Sequence, residues 1–191
     1  KLKKGMCVIT DKAGVLGLGG IIGGTKTSTE IETKNILLES AYFLPASIRR
    51  TAKDLLINTD AKYRFERGID PNSIIEGLEV ATKLILKICG GEASKFIIAG
   101  KNFQKNKSIN FEIDNFENLI GIPISSSEAQ KVLLSLGFQC KKSKKNLRVE
   151  VPSWRPDISQ EVDIIEELIR IKGFNNIKLV TPERKRDEET L

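Results

Sequence analysis

Apolar residues recur at helical spacing in two stretches of the first half of the chain. The first predicted helix begins at Pro45, which suits the first turn because its missing N–H would have no partner there. The second is predicted to have Asp70 as its N-cap, Pro71 at its first position and Gly90-Gly91 after its last turn. The stripes that these helices should bury are Ile48, Ala52, Leu55 and Leu56 in the first, and Ile74, Leu78, Ala81, Ile85 and Ile88 in the second.

Shorter apolar runs predict strands around these helices. They are expected at 6–10, 35–43 and 95–99, with a turn at 11–14 and an exposed polar loop at 25–33. Residues 15–24 contain too many glycines for an ordinary strand interior. This stretch is either a pair of strands joined by tight bends or backbone that lines a pocket. It lacks the strand-to-helix spacing of a dinucleotide fingerprint, so nucleotide binding is discounted.

The pattern restarts after a basic, polar stretch at 101–108, which we interpret as a linker between two domains. Ser125 and Glu128 have the spacing of a capping box, while Gly137 and Gly173 follow predicted helices. The predicted elements are a strand at 109–113, a helical turn at 116–120, a helix after Ser125, strands at 138–141 and 147–151, and a helix at 159–172. This order is β-α-α-β-β-α.

The fold class expected from these patterns is α+β with two domains. The first occupies 1–100, the second 109–178, and the charged segment 179–191 is expected to be a loose tail. The chain begins without Met, and we expect it to be a piece of a longer protein.

Composition narrows the class of protein. The chain has 191 residues, of which 40% are hydrophobic, and this is enough for one or two domains with real cores. Its net charge of +6 and pI near 9.2 favour a polyanionic partner such as RNA. Three separated cysteines without a CxxC pair indicate a reducing, cytoplasmic location. No apolar run is long enough for a membrane span, and the absence of histidine excludes imidazole catalysis within this chain.

Residues 39–71 have the composition of a pocket wall. An apolar run ends at Glu39, two aromatic residues follow, and Thr59, Asp60 and Ala61 precede a stretch in which charged and bulky side chains alternate. Small, hydroxyl and charged side chains beside apolar ones are unusual for a purely structural loop. We therefore expect Glu39 to lie among apolar neighbours at a binding site.

Three blocks of sequence, in one order, resemble the beta subunit of bacterial phenylalanyl-tRNA synthetase. They are GIIGG at 20–24, LLESAYF with the following SIR, TAK, TDA and RFERGIDP up to residue 71, and VPSWRPDISQEVDIIEELIRIKGFNNI at 151–177. The resemblance runs from about residue 8 to residue 177. It implies the second half of the B3/B4 editing domain, a partial mixed α/β domain, followed by the small winged-helix-like B5 domain.

The resemblance implies an editing pocket that contains Gly23, Glu39, Thr59 and Ala61. Glu39 would recognise the tyrosine hydroxyl, Gly23 would line the pocket through its backbone, and Thr59 and Ala61 would shape the opposite wall. The alternatives are an ion pair of Glu39 with Arg49, Arg50 or Arg64, an N-cap role for Thr59 and a filler role for Ala61. No side chain here is a candidate general base, so we expect a positioned water and backbone donors to carry the hydrolysis.

A second implied site lies at the last helix. Asp163, Glu166 and Glu167 fall at i, i+3 and i+4, and Asp157 precedes the helix. The resemblance implies that these four carboxylates bind Mg²⁺ shared with the alpha subunit, and oxygen ligands of this kind suit that ion. The alternative is a solvated acidic face with Asp157 as the helix N-cap. For Trp154, packing against the hairpin or a partner is favoured over stacking on RNA.

The implied parent enzyme attaches phenylalanine to tRNA(Phe) with ATP and hydrolyses misacylated tyrosyl-tRNA. The expected assembly is alpha2beta2, with ATP bound by the alpha subunit and no membrane contact. The family's pocket also draws on upstream residues, including a histidine, so the isolated piece is expected to be inactive. Two other classes stay open: a nucleic-acid-binding module of winged-helix type, and a free-standing trans-editing hydrolase.

Overall fold

The computed structural model describes residues 1–100, 107–143 and 146–179. These residues divide into two compact units. Unit 1 contains the described residues up to Gly100 together with Ser153–Pro156, and unit 2 contains the others. The predicted linker at 101–108, the lysines of the hairpin turn at 144–145 and the tail from 180 onward lie wholly or mostly outside the described residues.

Unit 1 combines a small antiparallel sheet with three helices. The sheet has the order β1-β2-β3, with Val8 opposite Leu18 and Leu18 opposite Ile22. Its elements are β1 at Val8–Asp11, β2 at Gly14–Leu18, β3 at Ile22–Gly23, a 3-10 turn at Thr25–Thr27, α1 at Pro45–Leu55, α2 at Asp60–Phe65 and α3 at Ser73–Cys89. The predicted strand at the start, the turn at 11–14 and the helix that begins at Pro45 are confirmed.

The core of unit 1 is small, and two glycines make it possible. Ile21, Ile48 and Ala52 are its buried apolar members among the described residues. A Cβ added to Gly19 would lie 2.7 Å from the Phe43 ring, and one added to Gly20 would lie 2.9 Å from the same ring. Gly20 also has φ of +66°, a conformation that glycine adopts without strain. The backbone of Gly19 and Gly20 therefore packs directly against the Phe43 ring, with no side chain between them.

Two predicted strands of unit 1 are wrong. Residues 35–43 and 95–99 are not in a strand, and Leu37 and Ile97 are 96% and 93% exposed. Their apolar composition suits a strand, but a strand also needs a partner to bond its backbone. Neither segment has such a partner among the residues that the structure describes. The first is held instead by a bond from the Ser40 hydroxyl to the carbonyl of Ile74, at 2.8 Å.

The long helix α3 differs from its prediction at both its start and its buried face. It begins at Ser73, because the Asp70 carboxylate accepts the N–H of Asn72 at 2.9 Å and thereby closes a turn before the helix. Its predicted stripe is only half-buried, and Ile88 is 73% exposed. In α1, Leu56 was expected inside, but it ends the helix with φ of 54° and is 93% exposed.

Unit 2 follows the predicted β-α-α-β-β-α order. Its elements are β4 at Ser108–Glu112, α4 at Ile113–Ile120, α5 at Ser126–Ser135, β5 at Gln139–Ser143, β6 at Asn146–Glu150 and α6 at Glu161–Lys172, with a 3-10 turn at Phe174–Asn176. The antiparallel sheet has the order β4-β6-β5, so the strand last in sequence lies in the middle. The α+β fold class is confirmed.

The core of unit 2 is larger and better enclosed than that of unit 1. Phe111, Leu147 and Val149 project from the inner face of the sheet onto the helices. The buried apolar residues are Ile109, Phe111, Phe116, Ile124, Ala129, Leu133, Phe138, Leu147, Val149, Val151, Ile158, Ile164, Ile165, Leu168 and Ile169. Helix α5 begins as predicted, with the Ser125 hydroxyl accepting the N–H of Glu128 at 3.1 Å. Glu128 does not complete the capping box, because its carboxylate binds Lys172 at 2.6 Å.

Candidate functional site

A cavity of about 1070 Å³ lies in unit 1 beside the glycine-rich strands. One wall is the backbone of Gly17–Gly24, and a second is the hydroxyl-rich loop after β3. The remaining lining comes from the segment that carries Glu39 and from Ala61 and Phe65 of α2. The cavity is thus bounded mainly by backbone, hydroxyl groups and apolar side chains, with Glu39 as its carboxylate among the described residues.

Glu39 lines the cavity but is not buried. Glu39 was expected among apolar neighbours at a binding site, and the cavity that it lines does include apolar side chains, but its own side chain is exposed to solvent. The cause is the missing strand pairing of 35–43, which leaves this segment at the surface. Burial first and the Glu39 charge second raise the pKa of the Cys7 thiol, which packs against the core of unit 1 and is not part of the cavity lining. No ion pair of Glu39 with Arg49, Arg50 or Arg64 is found among the described residues.

The glycines of this wall differ in what surrounds them. A side chain on Gly24 would collide with the carbonyl oxygen of Leu16, whose bond to the Gly24 N–H is 2.7 Å long. A Cβ on Gly17 would lie 3.0 Å from the carbonyl oxygen of Ile22. A Cβ on Gly23, by contrast, would meet nothing within 4 Å. The first two glycines are required by packing, and Gly23 keeps a part of the cavity wall free of side chains.

Thr59 and Ala61 lie at the start of α2, but only Ala61 lines the cavity. The Thr59 hydroxyl accepts the N–H of Lys62 at 3.1 Å as the helix N-cap and donates to the carbonyl of Ile21 at 2.7 Å. Its single proton is therefore already used, so the Thr59 hydroxyl has none left to donate to a substrate or a water, and the N-cap alternative describes its place. Thr59 instead links the N-terminus of α2 to the glycine-rich wall through its hydrogen bond to Ile21.

Sequence reasoning missed part of the lining. The loop at 25–33 is exposed, as expected, but Thr25, Thr27 and Thr29 also line the cavity, together with Ser28 and Thr33. Phe65 also lines it, from the stretch of alternating charged and bulky side chains, in which no single bulky residue was assigned to the site. The density of hydroxyl residues beside a glycine-rich stretch was the one signal that could have indicated this wall.

Two of the four acidic residues of the predicted Mg²⁺ site, Asp163 and Glu167, make close contacts within unit 2. One oxygen of Asp163 accepts the N–H groups of Ser159 and Gln160 at 2.7 and 3.0 Å, and Gln160, not Asp157, is the N-cap of α6. The N–H of Ser159 foremost holds the pKa of Asp163 below its usual value. Glu167 was expected on the polar face, but it is 7% exposed and paired with Arg170.

These contacts bear on the metal prediction. Asp157 and Glu166 are exposed, and no group of three or more acidic, cysteine or histidine side chains in the described ranges is placed to hold a metal ion. The carboxylate chemistry suits Mg²⁺, but in this arrangement the four groups do not form a ready binding set. The Mg²⁺ site stays a prediction.

No described helix is long and apolar enough to cross a bilayer.

Comparisons with known proteins agree with both units. The family model of the B3/4 domain matches residues 1–90, and that of the tRNA synthetase B5 domain matches residues 109–174. These two domains define the class, a subunit of an aminoacyl-tRNA synthetase.

The chain is 41% identical over 183 residues to the phenylalanine–tRNA ligase beta subunit of Rhodopseudomonas palustris, covering 96% of this chain and 23% of that protein. It is 43% identical over 176 residues to that of Novosphingobium aromaticivorans, covering 92% and 22%. The chain belongs to the family of phenylalanine–tRNA ligase beta subunits and spans less than a quarter of these relatives' length.

A solved N-terminal fragment of the phenylalanyl-tRNA synthetase beta subunit from Pyrococcus horikoshii gives a TM-score of 0.32 at 23% identity, covering 34% of this chain and 19% of that one. This TM-score is too low to indicate a shared overall fold.

Proposed function

We propose that unit 1 forms part of the hydrolytic editing site of a phenylalanine–tRNA ligase, in which Glu39 recognises the hydroxyl of misattached tyrosine. The observation that carries this proposal is the placement of Glu39, Gly23 and Ala61 around one cavity. The three residues are separated in sequence, and the fold brings them to the same cavity. A carboxylate at an otherwise apolar and hydroxyl-lined cavity is suited to accept a hydrogen bond from a phenol.

The selectivity follows from what each ligand does to the carboxylate. Glu39 is exposed and hydrated in the free protein. A bound aromatic ring displaces that water, and tyrosine returns a hydrogen bond whereas phenylalanine does not. Leaving a desolvated carboxylate unpaired is costly. Sites built to bond a substrate hydroxyl reject the analogue that lacks it by on the order of 10⁴-fold. Phenylalanyl-tRNA would be spared by this mechanism.

The hydrolysis itself would use a water held against the backbone wall. Water attacks the ester carbonyl, and the bond from that carbonyl to the ribose oxygen breaks. The water oxygen becomes part of the carboxyl group of free tyrosine, and a proton from the water goes to the ribose oxygen of the tRNA. The chain has no histidine, and the lining contains no lysine. Positioning and backbone donors, and not a side-chain base of this segment, would therefore supply the rate enhancement.

The activity of the whole enzyme is part of the same proposal. It comprises ATP-dependent attachment of phenylalanine to tRNA(Phe) in the cytoplasm, with an alpha subunit that binds ATP in an alpha2beta2 assembly. Mg²⁺ bound by Asp157, Asp163, Glu166 and Glu167 would require these side chains to rearrange. Titration of Mg²⁺ into the assembled enzyme and its Asp163→Ala variant tests this role, and equal affinities reject it.

The editing role is tested with Glu39→Gln in the assembled alpha–beta enzyme. Deacylation of tyrosyl-tRNA(Phe) should fall by at least about tenfold, because a charge-assisted hydrogen bond contributes about 1.5–3 kcal/mol. Glu92→Gln, which changes an exposed glutamate outside the cavity, is the matched control and should retain the full rate. Wild-type rates and selectivity in Glu39→Gln would reject the assignment.

A further inference from the structure

A connected group of side chains on α1 and α2 has no role in the cavity itself. We call Arg49, Lys62, Tyr63, Glu66 and Arg67 the basic cluster. The guanidinium carbon of Arg67 lies 3.6 Å from the centroid of the Tyr63 ring, and its NH1 group donates to the Glu66 carboxylate at 3.1 Å. Lys62 approaches the other oxygen of Glu66 at 3.2 Å, and Arg49 donates to the Glu66 carbonyl at 3.0 Å. These contacts fix the cluster in one arrangement.

The cluster carries more positive charge than its own contacts neutralise. Lys62 and Arg67 contact the Glu66 carboxylate, whereas Arg49 contacts the backbone carbonyl of the same residue, so three cations and one carboxylate leave the cluster with a net charge of +2. Arg64 and Asp60 of the same helix are both exposed, and their opposite charges leave this net charge unchanged. The carboxylate is mostly covered, with 14% of its side chain exposed, whereas the Arg67 side chain is 55% exposed. The charge that solvent meets at this surface is therefore positive.

The stacked pair of Tyr63 and Arg67 has the chemistry of a nucleotide contact. Tyr63 is 56% exposed although Arg67 lies over one side of its ring. An exposed aromatic ring can stack on an unpaired base, and an arginine held beside it can bond a phosphate through its remaining N–H groups. This combination is typical of single-stranded RNA recognition, since a duplex keeps its bases stacked on one another.

The position of the cluster on α2 connects it to the cavity. Ala61 and Phe65, four residues apart, place one face of α2 in the cavity lining. Lys62 and Tyr63 lie on the remaining faces of the same short helix, and Glu66 is its C-cap. A helix with its side chains is about 10–12 Å across, so the cluster is within roughly that distance of the cavity wall. An RNA end whose last residue enters the cavity would pass this surface.

We infer that the basic cluster binds the single-stranded end of the RNA that carries the aminoacyl group. This inference rests on the proposed function, because it identifies the surface that would contact the RNA part of the editing substrate. Arg67 and Lys62 would bind backbone phosphates, and Tyr63 would stack on a base. Glu39 and the other cavity residues would then contact only the amino acid and its ester bond.

The test measures binding of a labelled single-stranded RNA of about 12 nucleotides to the 191-residue chain at low salt. Arg67→Ala and Tyr63→Ala should each weaken binding by about tenfold. Removing one phosphate contact should also lower the slope of log affinity against log salt concentration by about 0.7. Arg67→Lys should lose less than Arg67→Ala because it keeps the charge but not the planar fork. Tyr63→Phe should bind as wild type, since it keeps the stacking ring and controls for folding.

Two controls separate this inference from its alternatives. Lys87→Ala removes an exposed charge from α3 and should leave binding unchanged. Glu92→Gln changes an exposed glutamate of unit 1 outside the cavity and should also leave RNA binding unchanged. Because the RNA in this test carries no aminoacyl group, a failure of the editing proposal would not alter this result. The inference is overturned if Arg67→Ala and Tyr63→Ala bind like Lys87→Ala. It is equally overturned if a duplex RNA or a polyglutamate peptide binds as tightly as the single strand with the same losses.

Discussion

The two units of this chain differ sharply in how they bury their apolar residues. Unit 2 encloses fifteen buried apolar residues between a three-stranded sheet and its helices. Unit 1 is longer in its described part, but its core has three buried members, and Leu37, Leu56, Ile88 and Ile97 are largely exposed. Unit 2 is therefore held by packing, whereas unit 1 depends more on glycine-mediated close contacts and specific hydrogen bonds.

This difference matches the different demands on the two units. A closed core excludes cavities, because interiors pack as densely as organic crystals. Unit 1 instead surrounds its cavity with backbone at Gly17–Gly24 and with Thr59, whose hydroxyl is committed to Ile21. A cavity wall made of backbone needs glycines, and it buries few side chains in return.

The largest difference between the two units is expected when one leucine in each is truncated to alanine. Leu168→Ala removes a fully buried side chain of unit 2 and should lower the free energy of unfolding of that unit by about 2–5 kcal/mol. Leu84→Ala in α3 removes a side chain that is 55% exposed and should cost about 0.5 kcal/mol. Hydrogen exchange of the 191-residue chain, analysed unit by unit, measures both. Equal costs would contradict the comparison.

A smaller effect should follow from a methyl group on Gly20. Gly20→Ala places a Cβ 2.9 Å from Phe43 at a positive φ, so unit 1 should lose about 1–3 kcal/mol of stability. Gly23→Ala is the matched control, because its Cβ would meet nothing within 4 Å and its φ is not positive. Thermal unfolding of the two variants compares them. A control that is destabilised as much as Gly20→Ala would mean that the contact with Phe43 is unimportant.

The smallest effect concerns the cap of α6. The folded pKa of Asp163 is lowered, so its contribution is present above the unfolded pKa of about 3.9 and is lost as the pH falls through the folded value. Asp163→Asn should therefore cost unit 2 about 1 kcal/mol near pH 7 and progressively less at acidic pH. Chemical denaturation across this pH range tests the sign. A cost that grows on acidification would contradict the capping role.

The sequence predicted unit 2 well because its signals are local. Ser125 before α5, the glycines after α5 and α6, and the alternation in β4 and β6 each determine a boundary without reference to distant residues. Gly173 has φ of +99° and its N–H bonds the carbonyl of Ile169, as expected for a helix end.

Unit 1 was predicted less well because its structure depends on long-range partners. Whether 35–43 becomes a strand depends on a neighbouring strand, which no local pattern encodes. Likewise, the bond between Thr59 and Ile21 joins residues 38 positions apart. The resemblance placed Gly23, Glu39 and Ala61 at one site, and all three line the same cavity, but their roles remain to be tested. The exposure of Glu39 could not be read from its apolar neighbours in sequence.

The central claim is that Glu39 interacts with the substrate hydroxyl, and a thermodynamic cycle measures that interaction directly. Deacylation rates of tyrosyl- and phenylalanyl-tRNA(Phe) by the assembled wild-type enzyme and by Glu39→Gln form its four corners. The account predicts a coupling energy of about 1.5–3 kcal/mol between the glutamate and the phenol, seen as a loss of discrimination in the variant. A coupling energy near zero, with both substrates affected equally, would contradict it.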